Sequence, residues 1–174
     1  MEKPIVVYNP VFVDERGTFA PLPIVYGEDK LEFLRKTWIQ SNISHNPKKH
    51  TLRGLHYQEE PYAQTKLVKV ITGKILDFVL DLRPDSEDYG KTFFFEVGPT
   101  QELYVPKGFA HAFITLEDNT IVQYLVDNEY NHKSERSIKW NSVKEVVEYF
   151  EKNSLTDINI LISKKDLDGQ IYTY

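Results

Sequence analysis

The sequence predicts an all-β fold, an antiparallel sandwich or barrel with one or two short helices at its periphery. Short runs rich in β-branched and aromatic residues recur along the chain, and Gly, Pro, Asn or Asp separates them. The runs are KTWIQSN, TKLVKVIT, KILDFVLDL, TFFFEVG, ELYVPKG and HAFITLED. A helical repeat of apolar residues is clear only near the C-terminus, which leaves little of the chain for helices.

The run KILDFVLDL shows the alternation of a strand with two different faces. Four apolar side chains share one parity and two aspartates share the other: Leu76, Phe78, Leu80 and Leu82 against Asp77 and Asp81. We expect one face to pack in the core and the other to meet water or a site. The preceding ITGKI predicts a hairpin turn at Gly73.

The predicted helix lies near residues 142–152. Its apolar residues fall at helical spacing, at Val143, Val146, Val147 and Phe150. Ser142 and Glu145 predict a capping box at its start. A second short helix is predicted over residues 27–37.

Size and charge restrict the classes of function. The chain has 174 residues with 41% hydrophobic content, enough for a single domain over residues 1–174 with a substantial core. The net charge of −5 argues against nucleic acid or an anionic membrane as the partner, because either would favour a basic face. A local basic pocket is compatible with this charge.

Cysteine is absent from the chain, which excludes disulfides, zinc–thiolate sites and thiol nucleophiles. The first residues, MEKPIVVYNP, lack a charged segment followed by a long apolar run. No stretch approaches the roughly eighteen apolar residues of a membrane span. We therefore expect a soluble, cytoplasmic protein.

The segment ELYVPKGFAHAF contains the P-x-G-x-x-H pattern of the second cupin motif. This resemblance implies a cupin-type jelly roll for the predicted strands. The usual cupin metal site needs H-x-H and a later Glu, whereas this chain has His56-Tyr57-Gln58. Only His56 and His111 remain as ligands, and a divalent ion normally takes three or four from the protein. We therefore expect no metal site.

Seven short motifs in a fixed order give a closer resemblance. They are DERGTF, QSN, LRGLHYQ, QTKLVKVITG, LDLRPDSEDYGK, VPKGFAHAF and LISKKD. Together they are similar to the dTDP-4-dehydrorhamnose 3,5-epimerase family, from about residue 11 to residue 166, and seven motifs in register carry far more weight than one. The resemblance implies a cofactor-free epimerase that acts on a nucleotide-linked 4-keto-6-deoxy sugar, in deoxysugar biosynthesis for surface polysaccharide.

Epimerisation beside a ketone has defined chemical requirements. The C4 ketone acidifies the hydrogens on carbons 3 and 5, so a base can remove one if the resulting enolate is stabilised. An acid then returns a proton to the other face of the ring. The site needs a base, a cation near O4 and a proton donor across the ring.

The resemblance implies four catalytic residues. His56 is the base, since imidazole takes and gives protons near neutral pH, and Asp166 of SKKD is the carboxylate behind it. Lys66 is the cation that faces O4, and Tyr124 is the acid on the face opposite the histidine. The neighbouring Lys69 is expected to be an exposed strand lysine.

Further residues match substrate-binding positions of the family: Arg16, Phe19, Gln40, Asn42, Arg53, His111 and Tyr130. The guanidinium of Arg53 would hold the diphosphate, and His111 and Tyr130 would line the sugar pocket. The two QSN residues would reach the nucleotide or phosphate. The two RGTF residues would reach the nucleotide across the interface of a homodimer, for which the aromatic TFFFEVG would suit a buried sheet face.

The nucleotide and the sugar stay open. After RGTF the family continues to a glutamate that helps to bind thymidine, whereas this chain has Ala20-Pro21 and no acid until Glu28. A GDP-linked 4-keto hexose or heptose is therefore an alternative substrate, with inversion at C3, C5 or both. A 4-keto-sugar ketoisomerase and a non-catalytic sugar-binding cupin are further alternatives. Retention of base, lysine, tyrosine and late aspartate disfavours the binder, which needs no such set.

Overall fold

A computed structural model describes residues 2–15, 17–20, 37–156 and 158–173. The strands in these ranges are β1 (Ile5–Tyr8), β2 (Phe12–Asp14), β3 (Gly17–Phe19), β4 (Gln40–Asn46), β5 (Thr51–Gln58), β6 (Lys66–Thr72), β7 (Ile75–Asp81), β8 (Thr92–Val97), β9 (Gln101–Val105), β10 (Phe109–Thr115), β11 (Thr120–Val126), β12 (Glu135–Ser137) and β13 (Leu161–Ile162). The helices are α1 (Lys144–Lys152) and α2 (Lys164–Leu167). In the same ranges no helix is long and apolar enough to cross a membrane.

The strands form the two sheets of a jelly-roll sandwich. One sheet has the order β1-β9-β6-β11-β4, and the other has the order β12-β5-β10-β7-β8, with β13 added beside β5. Neighbouring strands are antiparallel except for β13, which runs parallel to β5. Strands β2 and β3 make a separate hairpin. The prediction of an all-β, cupin-type jelly roll is confirmed.

The turn at Gly73 joins the two sheets, so the predicted hairpin was wrong. Gly73 has a positive φ of 80°, and a Cβ there would lie 2.3 Å from Oγ1 of Thr120, so the position favours glycine. Strand β6 pairs with β9 and β11, whereas β7 pairs with β8 and β10. Each strand already has two partners in its own sheet, which leaves no edge for the two to pair.

Apolar side chains cover both faces of β7. On its outer face Phe78 packs against Phe150 of α1, with ring centroids 5.7 Å apart in an edge contact. On its inner face Ile75 and Val79 are fully buried between the sheets. Asp77 shares this inner face and is fully buried too. The second face therefore meets the interior rather than water.

Helix α1 begins at Lys144, within the predicted range, but without the predicted capping box. Its N-cap is Val143, and no side chain caps it. The hydroxyl of Ser142 donates to the carbonyl of Lys139 at 2.6 Å, and Glu145 accepts a hydrogen bond from the backbone of Thr92 in β8. Tertiary contacts thus use both side chains. The helix predicted at 27–37 falls almost wholly on residues outside the described ranges.

The aromatic run of β8 packs within the chain itself. Phe94 stacks on Tyr149 of α1, with centroids 3.9 Å apart. On the other face of β8, between the two sheets, Phe93 makes an edge contact with Phe109 of β10. Helix α1 therefore covers the outer side of this run, which the sequence had suggested for a dimer contact.

Candidate active site

A cavity of about 710 Å³ opens between the two sheets. Side chains from both sheets and from the C-terminal segment line it. They include Arg53, His56, Lys66, His111, Tyr124 and Asp166. These six residues come from five elements between residues 53 and 166, because the jelly roll brings β5, β6, β10 and β11 together and α2 packs beside them.

His56 and Asp166 form a close pair in this cavity. Nε2 of His56 lies 2.6 Å from Oδ1 of Asp166, and the carboxylate is 4% exposed while the imidazole is 31% exposed. Burial raises the pKa of Asp166, but its contacts with His56, the Gly54 N–H and Ser163 outweigh burial and hold the pKa below its usual range. The pair is an imidazole that faces the cavity with an ionised carboxylate behind it.

The C-terminal segment brings Asp166 to the histidine. Strand β13 pairs with the first half of β5, and α2 follows with Ser163 as its N-cap. The hydroxyl of Ser163 accepts a hydrogen bond from the backbone of Asp166 at 3.2 Å, which fits the preference for serine at helix starts. The backbone N–H of Gly54 donates to the other carboxylate oxygen at 3.3 Å.

Lys66 points into the cavity from the opposite sheet. It is 9% exposed and shares its face of β6 with Val68 and Val70, which are buried between the sheets. Its Nζ donates to the carbonyl of His56 at 3.3 Å. Burial lowers the pKa of Lys66 to about 8, although the negative charges of Asp77 and Glu135 act to raise it.

Lys69 is buried, so the prediction of an exposed strand lysine was wrong. It lies on the other face of β6, where its register partner in β9 is Glu102. The two side chains form an ion pair and are 5% and 0% exposed. Burial lowers the pKa of Lys69 and raises the pKa of Glu102 to about 7. The side chain of Lys69 therefore points away from the cavity.

His111 forms a second buried pair, with Asp77 of the neighbouring strand β7. Its Nε2 lies 2.7 Å from Oδ2 of Asp77, and His111 is also the register partner of His56. Burial raises the pKa of Asp77 and lowers the pKa of His111, against their mutual attraction. Alternation along the strand predicted that the face with Asp77 meets water or a site, and Asp77 lies behind His111, which lines the cavity.

Tyr124 approaches the cavity from β11, in the sheet opposite His56. The side chain is half-buried. Burial raises its pKa, the charge of Arg53 lowers it, and that of Glu135 raises it. The phenol is thus a protonated donor on the side of the cavity that faces the histidine strand.

Arg53 lies exposed at the cavity opening, and a buried asparagine holds it. Its Nε donates to Oδ1 of Asn46 at 2.8 Å. Asn46 is 1% exposed, and its amide donates to the carbonyl of Thr120 at 3.1 Å. This role could not be predicted from the sequence, because Asn46 and Arg53 lie on different strands.

These groups suit proton transfer next to a stabilised anion. The His56–Asp166 pair can accept a proton, Lys66 places a buried amine in the same cavity, and the Tyr124 phenol can donate a proton from the opposite sheet. Among the described residues, no cluster of three or more His, Asp or Glu side chains is arranged to hold a metal ion.

A model of the dTDP-4-dehydrorhamnose 3,5-epimerase family matches residues 1–173. The chain belongs to this family. It is 36% identical to the dTDP-4-dehydrorhamnose 3,5-epimerase of Shigella flexneri over 174 residues, which is 95% of this chain and 90% of the relative. Residues from five of the seven motifs line the cavity: QSN, LRGLHYQ, QTKLVKVITG, VPKGFAHAF and LISKKD.

Solved epimerase structures share the fold. The dTDP-4-dehydrorhamnose 3,5-epimerase of Bacillus anthracis, with TDP and PPi bound, is 34% identical with a TM-score of 0.83, over 97% of this chain and 94% of that one. A dTDP-6-deoxy-D-glucose-3,5-epimerase of Legionella pneumophila, in complex with dTDP-4-keto-L-rhamnose, is 27% identical with a TM-score of 0.75. That similarity covers 95% of this chain and 86% of the Legionella chain.

The other predicted binding residues of this epimerase-family chain that the structure describes lie at the cavity or outside it. Asn42 lines the cavity, and Gln40 donates to its side-chain oxygen at 2.7 Å. Phe19 is 67% exposed and contacts Phe12 of the β2–β3 hairpin, outside the lining of its own chain's cavity. Arg16 lies outside the described residues.

Tyr130 is 53% exposed and is connected to the cavity through Glu135. Its hydroxyl donates to Oε2 of Glu135 at 2.9 Å. Glu135 and Lys165 both line the cavity, and the sequence motifs had singled out neither. Lys165 directly precedes Asp166 in SKKD, which is the one signal that could have drawn attention to it.

Proposed function

We propose that this protein catalyses the cofactor-independent epimerisation of a dTDP-linked 4-keto-6-deoxy sugar at C3, C5 or both. One observation carries the proposal: in a member of the epimerase family, the His56–Asp166 pair, Lys66 and Tyr124 all line one cavity. The relatives that are dTDP-4-dehydrorhamnose 3,5-epimerases, and the dTDP-4-keto-L-rhamnose bound to the Legionella enzyme, support the substrate class.

The proposed reaction begins with proton removal by His56 from the carbon next to the ketone. Asp166 holds the imidazole and stabilises the imidazolium that forms, without taking the proton itself. The ammonium of Lys66 stabilises the enolate oxygen. Tyr124 then supplies a proton from the opposite side, and this inverts the carbon.

The proposed binding of the nucleotide diphosphate uses the cavity opening. The guanidinium of Arg53 is exposed there and its Nε is already occupied by Asn46, which leaves the two terminal amino groups for a diphosphate. Asn42, oriented by Gln40, lies on the neighbouring wall. His111, with Asp77 behind it, lines the sugar end.

Asn46→Ala is expected to raise KM about 3- to 10-fold with a smaller change in kcat. Without Asn46 the guanidinium of Arg53 loses the contact that fixes its orientation, so substrate binding weakens while the proton-transfer groups stay in place. Steady-state kinetics measures both constants. Asn153→Ala, at the exposed end of α1, is the control and should change neither. A loss confined to kcat would contradict the role of Asn46.

We also propose a cytoplasmic homodimer of single-domain subunits. The outer face of the five-stranded sheet exposes Ile39, Ile43 and Ile71 by 56%, 71% and 48%, an apolar surface that a second subunit could cover. Phe19 is exposed on its hairpin, away from its own chain's cavity. In the dimer, Phe19 and Arg16 would complete the partner's nucleotide site. The family match over residues 1–173 supports one domain.

Ile43→Lys is expected to convert the dimer into a monomer, because a buried lysine without a partner destabilises the interface. Light scattering coupled to size-exclusion chromatography should show about half the mass of the wild type. Ile171→Lys introduces the same charge at a position that is 74% exposed near the C-terminus and should leave the dimer intact. A monomeric wild type, or a dimeric Ile43→Lys variant, would refute this interface.

The experiment that tests the proposed function compares nucleotide sugars. Purified protein is incubated with dTDP-4-keto-6-deoxyglucose and, separately, with the GDP-linked 4-keto-6-deoxy sugar. Proton NMR then follows the configuration at carbons 3 and 5. Inversion of the dTDP substrate supports the proposal. Turnover of the GDP sugar alone would overturn the nucleotide assignment, and a ketone that moves to another carbon would indicate a ketoisomerase.

A further inference from the structure

Glu135 connects three elements around the cavity. It lies on β12, whose register pairs Glu135 with Gln58 and Ser137 with His56. Its Oε1 forms an ion pair with Nζ of Lys165 at 2.6 Å, and its Oε2 accepts a hydrogen bond from Tyr130 at 2.9 Å. The carboxylate is 18% exposed. Both oxygens are therefore fixed by cationic or hydroxyl donors, at the wall of the cavity.

The contact with Lys165 bears on the catalytic pair. Lys165 and Asp166 are consecutive residues of α2, and Asp166 contacts His56 of β5. Glu135 belongs to β12, the strand hydrogen-bonded to the same half of β5. The Glu135–Lys165 ion pair therefore bridges the segment that carries the carboxylate and the sheet that carries the base.

Glu135 and Lys66 line the same cavity, so the charge of Glu135 also acts on the buried ammonium. Around Lys66, Asp77 of β7 and Glu135 of β12 favour the charged form, while burial opposes it. The lysine charge in turn lowers the pKa of both Asp77 and His111 of β10. On its own side, Glu135 faces Lys165, Tyr130 and His56. A fixed negative charge at this place helps Lys66 to stay an ammonium in an environment that disfavours one.

We propose that Glu135 is a positioning residue for the epimerisation: it anchors the segment that carries Asp166 and supplies a negative charge that keeps Lys66 cationic. The inference rests on the proposed function for its role in the reaction. It does not require Glu135 to touch the substrate, because Glu135 acts through Lys165 and Lys66.

The first test measures Lys66 itself and needs no substrate. The protein is labelled with carbon-13 lysine, the Lys66 signal is identified by its loss in Lys66→Met, and its titration is followed by NMR. In Glu135→Gln the midpoint is expected to fall by about half a pH unit or more. Glu135→Asp should restore most of this shift. Glu59→Gln, which removes the neighbouring ion pair with Arg136, is the matched control and should not move it.

Hydrogen exchange tests the anchoring. The amides of Leu167 and Asp168, which bond to Ser163 and Lys164, are expected to exchange several-fold faster in Glu135→Gln and at the wild-type rate in Glu59→Gln. An unchanged exchange rate would overturn the anchoring role. An unchanged Lys66 midpoint, or a midpoint equally low in Glu135→Asp, would overturn the charge role.

The effect on the reaction is read from the pH profile. The alkaline limb of kcat/KM should move to lower pH in Glu135→Gln by the amount that the Lys66 midpoint moves. A limb that stays in place would overturn the catalytic part of the inference. Failure of the wild type to epimerise any nucleotide sugar would instead overturn the proposed function, since the titration and exchange experiments stand without turnover.

Discussion

Replacing Asp166 with asparagine is expected to lower kcat by about 10²- to 10⁴-fold with little change in KM. The amide keeps the size of the carboxylate but removes the charge that stabilises the imidazolium of His56, 2.6 Å away. It also offers an N–H where the histidine presents one, which favours the wrong tautomer. Steady-state kinetics with the dTDP sugar measures the loss.

Asp168→Asn provides the control for this prediction. Asp168 is the exposed C-cap of the same short helix, so the variant changes the same chemical group two residues away. It should keep wild-type kcat. If Asp166→Asn turned over normally while folded, the C-terminal segment would have no part in the chemistry, and the proposed base would act without its carboxylate.

Lys66→Met is expected to reduce kcat by about 10²- to 10³-fold and at the same time to stabilise the fold. The ammonium is the cation proposed to stabilise the enolate, so its loss slows proton removal. The same ammonium is buried, and the drop of its pKa from 10.5 to about 8 corresponds to a cost of about 3 kcal/mol that an apolar side chain of similar length avoids. Kinetics and chemical denaturation measure the two effects.

The cost of burying Lys66 should appear in how the free energy of unfolding depends on pH. Its pKa in the folded protein, about 8, is below the ordinary value of 10.5, so the unfolded chain binds this proton more tightly. The lysine therefore destabilises the fold below pH 8, and the cost is relieved as pH rises from about 8 to 10.5. Lys66→Met should remove this pH dependence, whereas Lys152→Met, at an exposed position in the last turn of α1, should retain it.

The activity of the wild type should fall as pH rises through about 8, where Lys66 loses its proton. Stability and activity thus change in opposite directions over the same range. A Lys66→Met variant that was both active and unaltered in stability would show that this lysine is neither buried nor catalytic.

Much of the site could be predicted from the sequence, because its residues lie in short motifs. His56, Lys66 and His111 belong to three motifs of the family, and the structure brings all three to one cavity. Asp166 was predicted from SKKD, although 110 residues separate it from His56. The order of the family motifs predicted the pairing of Asp166 with His56, since no local sequence pattern specifies a contact between residues so far apart in the chain.

The residues that support the site could not be predicted. Alternation along a strand tells which side chains share a face, but not which face looks into a cavity. Asp77 and Lys69 illustrate this limit, because the first lies beside the catalytic groups and the second on the opposite face of its sheet with Glu102. Asn46 and Glu135 act through contacts between different strands and segments.

Local signals also failed where tertiary contacts competed for the same atoms. Ser142 and Glu145 have the spacing of a capping box, yet they bond to Lys139 and Thr92 instead. Gly73 marks a turn as predicted, but the strands on either side belong to different sheets. In both cases the sequence pattern identified the position of a feature and the packing decided its partners.

In the proposed reaction, His56 removes a proton from the carbon next to the ketone of the bound sugar. The most direct measurement is deuterium incorporation: the protein and dTDP-4-keto-6-deoxyglucose are incubated in deuterium oxide, and proton NMR follows carbons 3 and 5. We predict loss of the proton signal at one or both carbons with the wild type and no exchange above background with a folded His56→Ala variant. Exchange at the wild-type rate in His56→Ala would contradict the assignment of the base, and no exchange with the wild type would contradict epimerisation of this substrate.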